Sequence, residues 1–122
     1  MAGTFEAATH SEKGTLRAEA LFLSSEISRF LVVRQANEPE PEVALMGVPI
    51  PVGKYAAYIF ETGTLYEQKY GEQVRRVVTR LKNEGLEDKQ LDILAGPHIN
   101  PHSENVNEIA NRLGELASKL PK

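Results

Sequence analysis

The sequence predicts an α+β domain: a mostly antiparallel sheet of about five to six strands, with two long helices over 64–84 and 101–120 packed on one face. Three observations predict it. Runs of β-branched and aromatic residues, bounded by turn signals, fill the first half of the chain. From Thr64 the apolar period changes to three and four, the repeat of a helix. A short apolar run then separates this stretch from a second one with the same repeat.

In chain order, Thr4–Ala8, Thr15–Leu23 and Ile27–Gln35 read as strands, with turns at Ser11-Glu12-Lys13-Gly14 and Ser24-Ser25-Glu26. Within the second run Leu16, Ala18, Ala20 and Phe22 alternate with Arg17 and Glu19, the period-2 pattern of a half-buried strand. The Ala-rich piece Arg17–Leu21 would also tolerate a helix. Residues 36–42 carry two prolines and three glutamates, which suits an exposed acidic loop. Val43–Val48 is a short apolar run closed by Pro49 and Pro51, and Lys54–Phe60, apolar on both alternating faces, reads as a central strand.

Tyr66, Tyr70, Val74, Val77, Val78 and Leu81 then form one helical stripe, with Lys69, Arg75, Arg76, Arg80 and Lys82 on the far side. Gly85 is placed to stop that helix in the left-handed C′ position. Leu91–Ala95 reads as a short strand and 96–100 as a turn. Asn100-Pro101 opens the last helix as a favoured cap and first residue. Its apolar seam runs through Val106, Ile109, Leu113, Leu116 and Leu120, to dock on the sheet or to pair with a second copy. Gly114, inside it, costs about 1 kcal/mol relative to alanine unless a neighbour approaches closely.

The 122 residues suit a single domain, 1–122, large enough for one core. With 14 basic and 17 acidic residues the net charge is -3, so no global field draws nucleic acid or an anionic membrane. The chain has no cysteine, which removes disulfides, thiolate nucleophiles and thiolate metal sites. No signal-like N-terminus and no run of about 20 apolar residues is present, so a soluble, cytoplasmic protein is expected.

The stretch Ile50-Pro51-Val52-Gly53-Lys54-Tyr55-Ala56-Ala57-Tyr58-Ile59-Phe60-Glu61-Thr62-Gly63 resembles the strand of GyrI-like effector-binding domains. The resemblance implies strand–helix–strand–strand modules around a groove for hydrophobic or cationic ligands. It carries no functional residue over to this chain.

Three groups of residues are candidates for a site. His98 and His102 share a turn and are spaced by four, but Pro97 and Pro101 remove the helix on which such a pair could grip a metal. What remains there is an anion or ligand site, made by His98, His102 and Ser103 with the free amides of the helix start. The partial positive charge of that helix start is expected to disfavour protonation of the His102 imidazole. Tyr55, Tyr58, Tyr66 and Tyr70 are placed to line an apolar pocket. Lys69, Arg75, Arg76 and Arg80 form a basic strip, diluted by neighbouring glutamates.

No phosphate loop, nucleophile elbow or paired carboxylate is present, so no catalyst, metal or cofactor is expected. The function expected is that of a non-catalytic binding or interaction module, regulatory or adaptor-like, meeting a protein partner or itself as a homodimer. The alternatives are a small-ligand domain with a tyrosine-lined pocket, and a metal or anion site at the His98/His102 turn. Nucleic acid and membrane are not expected partners.

Overall fold

Leu16, Ala20, Leu23, Ile27, Phe30 and Leu31 are buried, whereas Ala18, Phe22, Val32 and Val33 face solvent. A strand would bury Leu16, Ala18, Ala20 and Phe22 together. Burial at every third or fourth residue is the signature of a helix. The structure, a computed structural model, describes residues 2–40 (side chains from Thr15), 52–96 and 103–121 (side chains from Glu104). Its first element is a helix, α1 (Ala2–Gln35). The supposed turn Ser24-Ser25-Glu26 lies inside this helix.

Val52 precedes α2 (Gly53–Tyr66), which passes through a π-helical turn (Glu67–Gly71) directly into α3 (Glu72–Asn83). The boundary residues Tyr66, Glu67, Gly71 and Glu72 all have helical dihedrals. The three pieces therefore form one rod, about 46 Å long at the usual helical rise. Its inner stripe explains the π turn. Tyr58, Thr62, Tyr66, Tyr70 and Val74 recur at steps of four. Each such step advances about 40° around an α-helix, so four steps would carry the stripe about 160° off the core. One extra residue in a turn takes back about 100° of that drift.

Asn83 ends the rod as the sequence suggests. Gly85 has φ 83, its N–H bonds to the Lys82 carbonyl at 2.9 Å, and the Leu86 N–H returns to Leu81 at 2.9 Å. These two bonds are those of a Schellman motif. A Cβ on Gly85 would meet nothing, so only the left-handed backbone resists a side chain there. Gly85→Ala should therefore cost about 1 kcal/mol, read as a shift in urea midpoint at constant m-value. An unchanged midpoint would refute the assignment.

The short α4 (Lys89–Leu94) follows, and α5 (Ser103–Ser118) completes the fold. Arg34 meets residues 58–62 while Glu19 meets Arg80, so α1 and the rod run antiparallel. The five helices share one core, in which α1 packs chiefly on α5, α3 lies against both, and α4 covers α5. Val106, Ile109, Ala110, Leu113, Leu116, Ala117 and Leu120 are all buried in it. The seam of the last helix is thus spent inside the bundle. Gly114 lies where α1 comes near: a Cβ there would sit 3.2 Å from the Ser24 Oγ, which donates to the Ala110 carbonyl at 2.6 Å.

The predicted α+β architecture is wrong. Among the described residues every regular element is helical and no strand or sheet edge exists. The runs 4–8, 15–23 and 27–35 belong to one helix, Lys54–Phe60 lies in α2, and Leu91–Leu94 lies in α4. The Val43–Val48 run lies outside the described residues. The predicted helices over 64–84 and 101–120 correspond to the later part of the rod and to α5. Since Gly53–Gly63 is helical, the strand on which the GyrI-like resemblance depends is absent from that stretch. The physical reason is that β-propensity mostly measures fit to a half-buried pleated surface. Here Val32, Val33 and Phe60, which suggested strands, are exposed on helices, and burial follows the helical period instead.

Candidate functional site

All four tyrosines of the predicted pocket lie on the rod, and the structure divides them into two pairs. Tyr55 stacks on Tyr58, with centroids 6.3 Å apart and planes inclined by 20°. Eight residues further, Tyr66 lies 6.2 Å from Tyr70, and Tyr70 meets the Phe30 ring edge-on at 5.7 Å. Burial raises the pKa of Tyr58, Tyr66 and Tyr70, most strongly at Tyr66, where the neighbouring Glu67 carboxylate adds to it. All three stay protonated at neutral pH. None offers a phenolate as base or nucleophile.

The first pair belongs to a cluster that ties the end of α1 to α2. The Arg34 guanidinium lies 4.9 Å from the Tyr58 ring centroid. Its Nε donates to the Thr62 Oγ1 at 3.0 Å, one Nη to the Glu61 carboxylate at 2.8 Å, and the other to the Tyr58 carbonyl at 3.4 Å. Thr62, fully buried, donates its own hydroxyl to the Tyr58 carbonyl at 2.8 Å. Beside the cluster is a cleft of about 340 Å³ lined by Arg34, Asn37, Pro39, Lys54, Ala57, Tyr58 and Glu61. Of its charged groups, Arg34 and Glu61 are already paired, and Lys54 is exposed.

The second pair lies at the π turn. There the Glu67 side chain runs forward along the helix, past Gly71, so that its carboxylate reaches Arg75 at 2.5 Å. A Cβ on Gly71 would collide with that carboxylate, so the glycine makes the path possible. Between this turn and α1 runs a groove of about 170 Å³ lined by Glu26, Arg29, Phe30, Val33, Lys69 and Tyr70.

The predicted basic strip does not present four free cations. Arg75 is held by Glu67, and Arg80 donates to Glu19 at 2.7 Å. The Lys69 ammonium lies over the Phe30 ring at 5.6 Å, and Arg76 is exposed. The Arg80–Glu19 pair anchors the rod to α1 and the Arg75–Glu67 pair closes on the rod itself, so both arginines are poor candidates to meet phosphates. His98 and His102 lie outside the described residues, and Ser103 is the first residue of α5. Among the described residues no group of three or more metal-ligating side chains could hold an ion. No helix among them is long and apolar enough to cross a membrane.

Sequence reasoning missed Arg34, Thr62, Asp88 and Arg112. The Asp88-x-x-Leu91 start of α4 was the available signal, since aspartate is a favoured cap. The Asp88 carboxylate accepts from the Leu91 N–H at 3.1 Å and from Arg112 at 2.8 Å, joining α4 to α5. Burial opposes its ionisation, but the Arg112 guanidinium and the Leu91 amide outweigh burial and hold its pKa below the ordinary carboxylate range. A carboxyl lowered in the folded state contributes stability above its unfolded pKa, about 4, and loses it as pH falls through the folded value. Asp88→Asn should therefore be less stable at neutral pH and should lose less on acidification. Urea midpoints from about pH 7 to about pH 3 check this; parallel acid limbs in both proteins would rule it out.

Against known proteins, the chain matches no family, no curated protein and no solved structure. The chemistry therefore rests on the geometry alone. Arg34, Arg80 and Arg112 brace one helix against another, and the tyrosines stay neutral. Exposed large apolar side chains remain at Phe60 on α2 and Ile93 on α4, and α1 carries three of them, Phe22, Val32 and Val33.

Proposed function

We propose that this chain is a non-catalytic protein-interaction module whose contact face is the outer side of α1. One observation carries the reading: Phe22, Val32 and Val33 are large, apolar and 60–65% exposed on this helix. Covering what remains exposed of such side chains gains about 1–2 kcal/mol each, so the surface favours a partner. The lack of cysteine suits a reducing compartment, and the cytoplasm is the location this reading takes. The test is photo-crosslinking in the producing cell, with a benzophenone side chain placed at Phe22, at Val33, or at the exposed Arg76 as control. Adducts concentrated at positions 22 and 33 are expected. Equal yields from position 76, or no adduct at all, would refute the reading.

A second reading has its own support in the cleft beside Tyr58. Its volume of about 340 Å³ is within the range of small-molecule sites. It has an aromatic wall, and the exposed Lys54 offers an anion a counter-charge. In a screen of aromatic carboxylates, concerted amide shifts at Ala57, Tyr58 and Glu61 are expected. Scattered surface shifts would dismiss the cleft.

A further inference from the structure

The pattern of charges on α1 identifies what kind of partner would fit its outer face. Phe22, Glu26, Arg29 and Val33 follow one another at steps of four, three and four, which places them in one strip along one side of the helix. Phe22 and Val33 at its ends are 62% and 60% exposed; between them Glu26 and Arg29 form an ion pair along the helix at 3.4 Å, with the Arg29 side chain 73% exposed and free to turn to a second carboxylate. Phe30, Lys69 and Tyr70 complete the groove along the strip's flank. From either end the strip reads apolar, charged, charged, apolar. It is symmetric in position about a point between Ile27 and Ser28, and opposite in charge across that point.

We propose that a second copy of this chain covers the strip, with α1 packed antiparallel on α1 about a two-fold axis through that midpoint. This rests on the interaction reading above and adds the partner. In a two-fold contact each residue meets its counterpart reciprocally. Phe22 then packs on the partner's Val33, and Glu26 faces the partner's Arg29. The axis repeats both contacts. A parallel pairing would set glutamate against glutamate and arginine against arginine, a juxtaposition that opposes binding. Self-complementarity in both shape class and charge selects a second copy over an unrelated protein. From Phe22 to Val33 the strip is about 16 Å long, some three helical turns. An interface of that extent is at the small end of specific contacts, so the dimer dissociates in the micromolar range.

Sedimentation equilibrium of the full chain, from about 1 µM to about 500 µM, is expected to give a monomer–dimer system with Kd on the order of 10 µM. Phe22→Ser, Glu26→Arg and Arg29→Glu should each raise Kd by about tenfold or more, with unchanged circular dichroism and, at about 1 µM where the chain is monomeric, a denaturation midpoint shifted by no more than the loss of an exposed intrahelical pair. If Glu26→Arg disturbs folding, Arg29→Glu at the more exposed position carries the test. The double exchange Glu26→Arg/Arg29→Glu should return Kd to within about threefold of the original, because the antiparallel pairs are restored with reversed sign. Failure of that rescue, or a dimer indifferent to all four variants, overturns the proposed geometry. A chain monomeric throughout overturns the second copy as partner. Crosslinks from position 22 to other proteins would then leave the interaction reading standing, and their absence would end both.

Discussion

Ser25→Pro should lower stability by about 3 kcal/mol or more, a loss of about 10 °C in melting temperature for a domain of this size. Ser25 is exposed and lies well inside α1, so its side chain has little to lose. Proline acts on the backbone: it removes the N–H that bonds four residues back, and its ring clashes with the carbonyl of Leu21. Ser25→Ala, the control, should be neutral or slightly stabilising, because alanine is the better helix former. The same substitution in a turn between two strands would cost little, since proline suits many turns. Thermal melts of the two variants thus separate the helical fold from the hairpin that local pattern suggests. A proline variant melting within about 2 °C of the parent would sink the continuous helix.

Arg34→Met is the second large effect, with an expected loss of about 2–3 kcal/mol at neutral pH. The substitution keeps the apolar stem and removes the planar donor fork. Hydrogen bonds from a charged donor contribute about 1.5–3 kcal/mol when partly buried, and the contact with the Tyr58 ring adds to them. Glu61 adds little, because its carboxylate is largely exposed and screened. Arg34→Lys should recover only a small part, since a single ammonium cannot reach Thr62, Glu61 and the Tyr58 carbonyl together. Thr62→Val should cost about 1 kcal/mol alone, and the double variant should lose less than the sum of the two. Urea denaturation followed by far-ultraviolet circular dichroism measures all four. A loss below about 0.5 kcal/mol in Arg34→Met would reduce the cluster to an ordinary surface pair.

Both effects concern the half of the chain where local pattern misleads. In 15–23 a period-2 reading and a period-3.6 reading fit the same residues, because small alanines suit either face. Only packing on α5 decides that Ala20 and Leu23 go inside while Ala18 and Phe22 stay out. In α2 the run Tyr55–Phe60 is apolar on every side, so periodicity carries no information there. The tyrosine group was legible as one helical stripe only beyond Thr64, and its division into two pairs depends on where Phe30 and Arg34 arrive from α1. That is why the predicted single pocket is not formed by all four.

What the sequence determined by itself is two helical stripes and the stop between them: Val74, Val77, Val78 and Leu81 as a buried stripe, Gly85 as the stop, and Val106 to Leu120 as a second stripe. Long amphipathic repeats closed by a left-handed glycine leave few alternatives, since no other backbone puts all those side chains on one side. Tertiary structure alone decided that α1 and α2 are helices, that Gly114 admits Ser24, and that Arg34 and Asp88 lock neighbouring helices together. Each of these depends on contacts between residues distant in the chain. Their energies enter only when the helices pack, so local propensity is overruled at the moment the core forms.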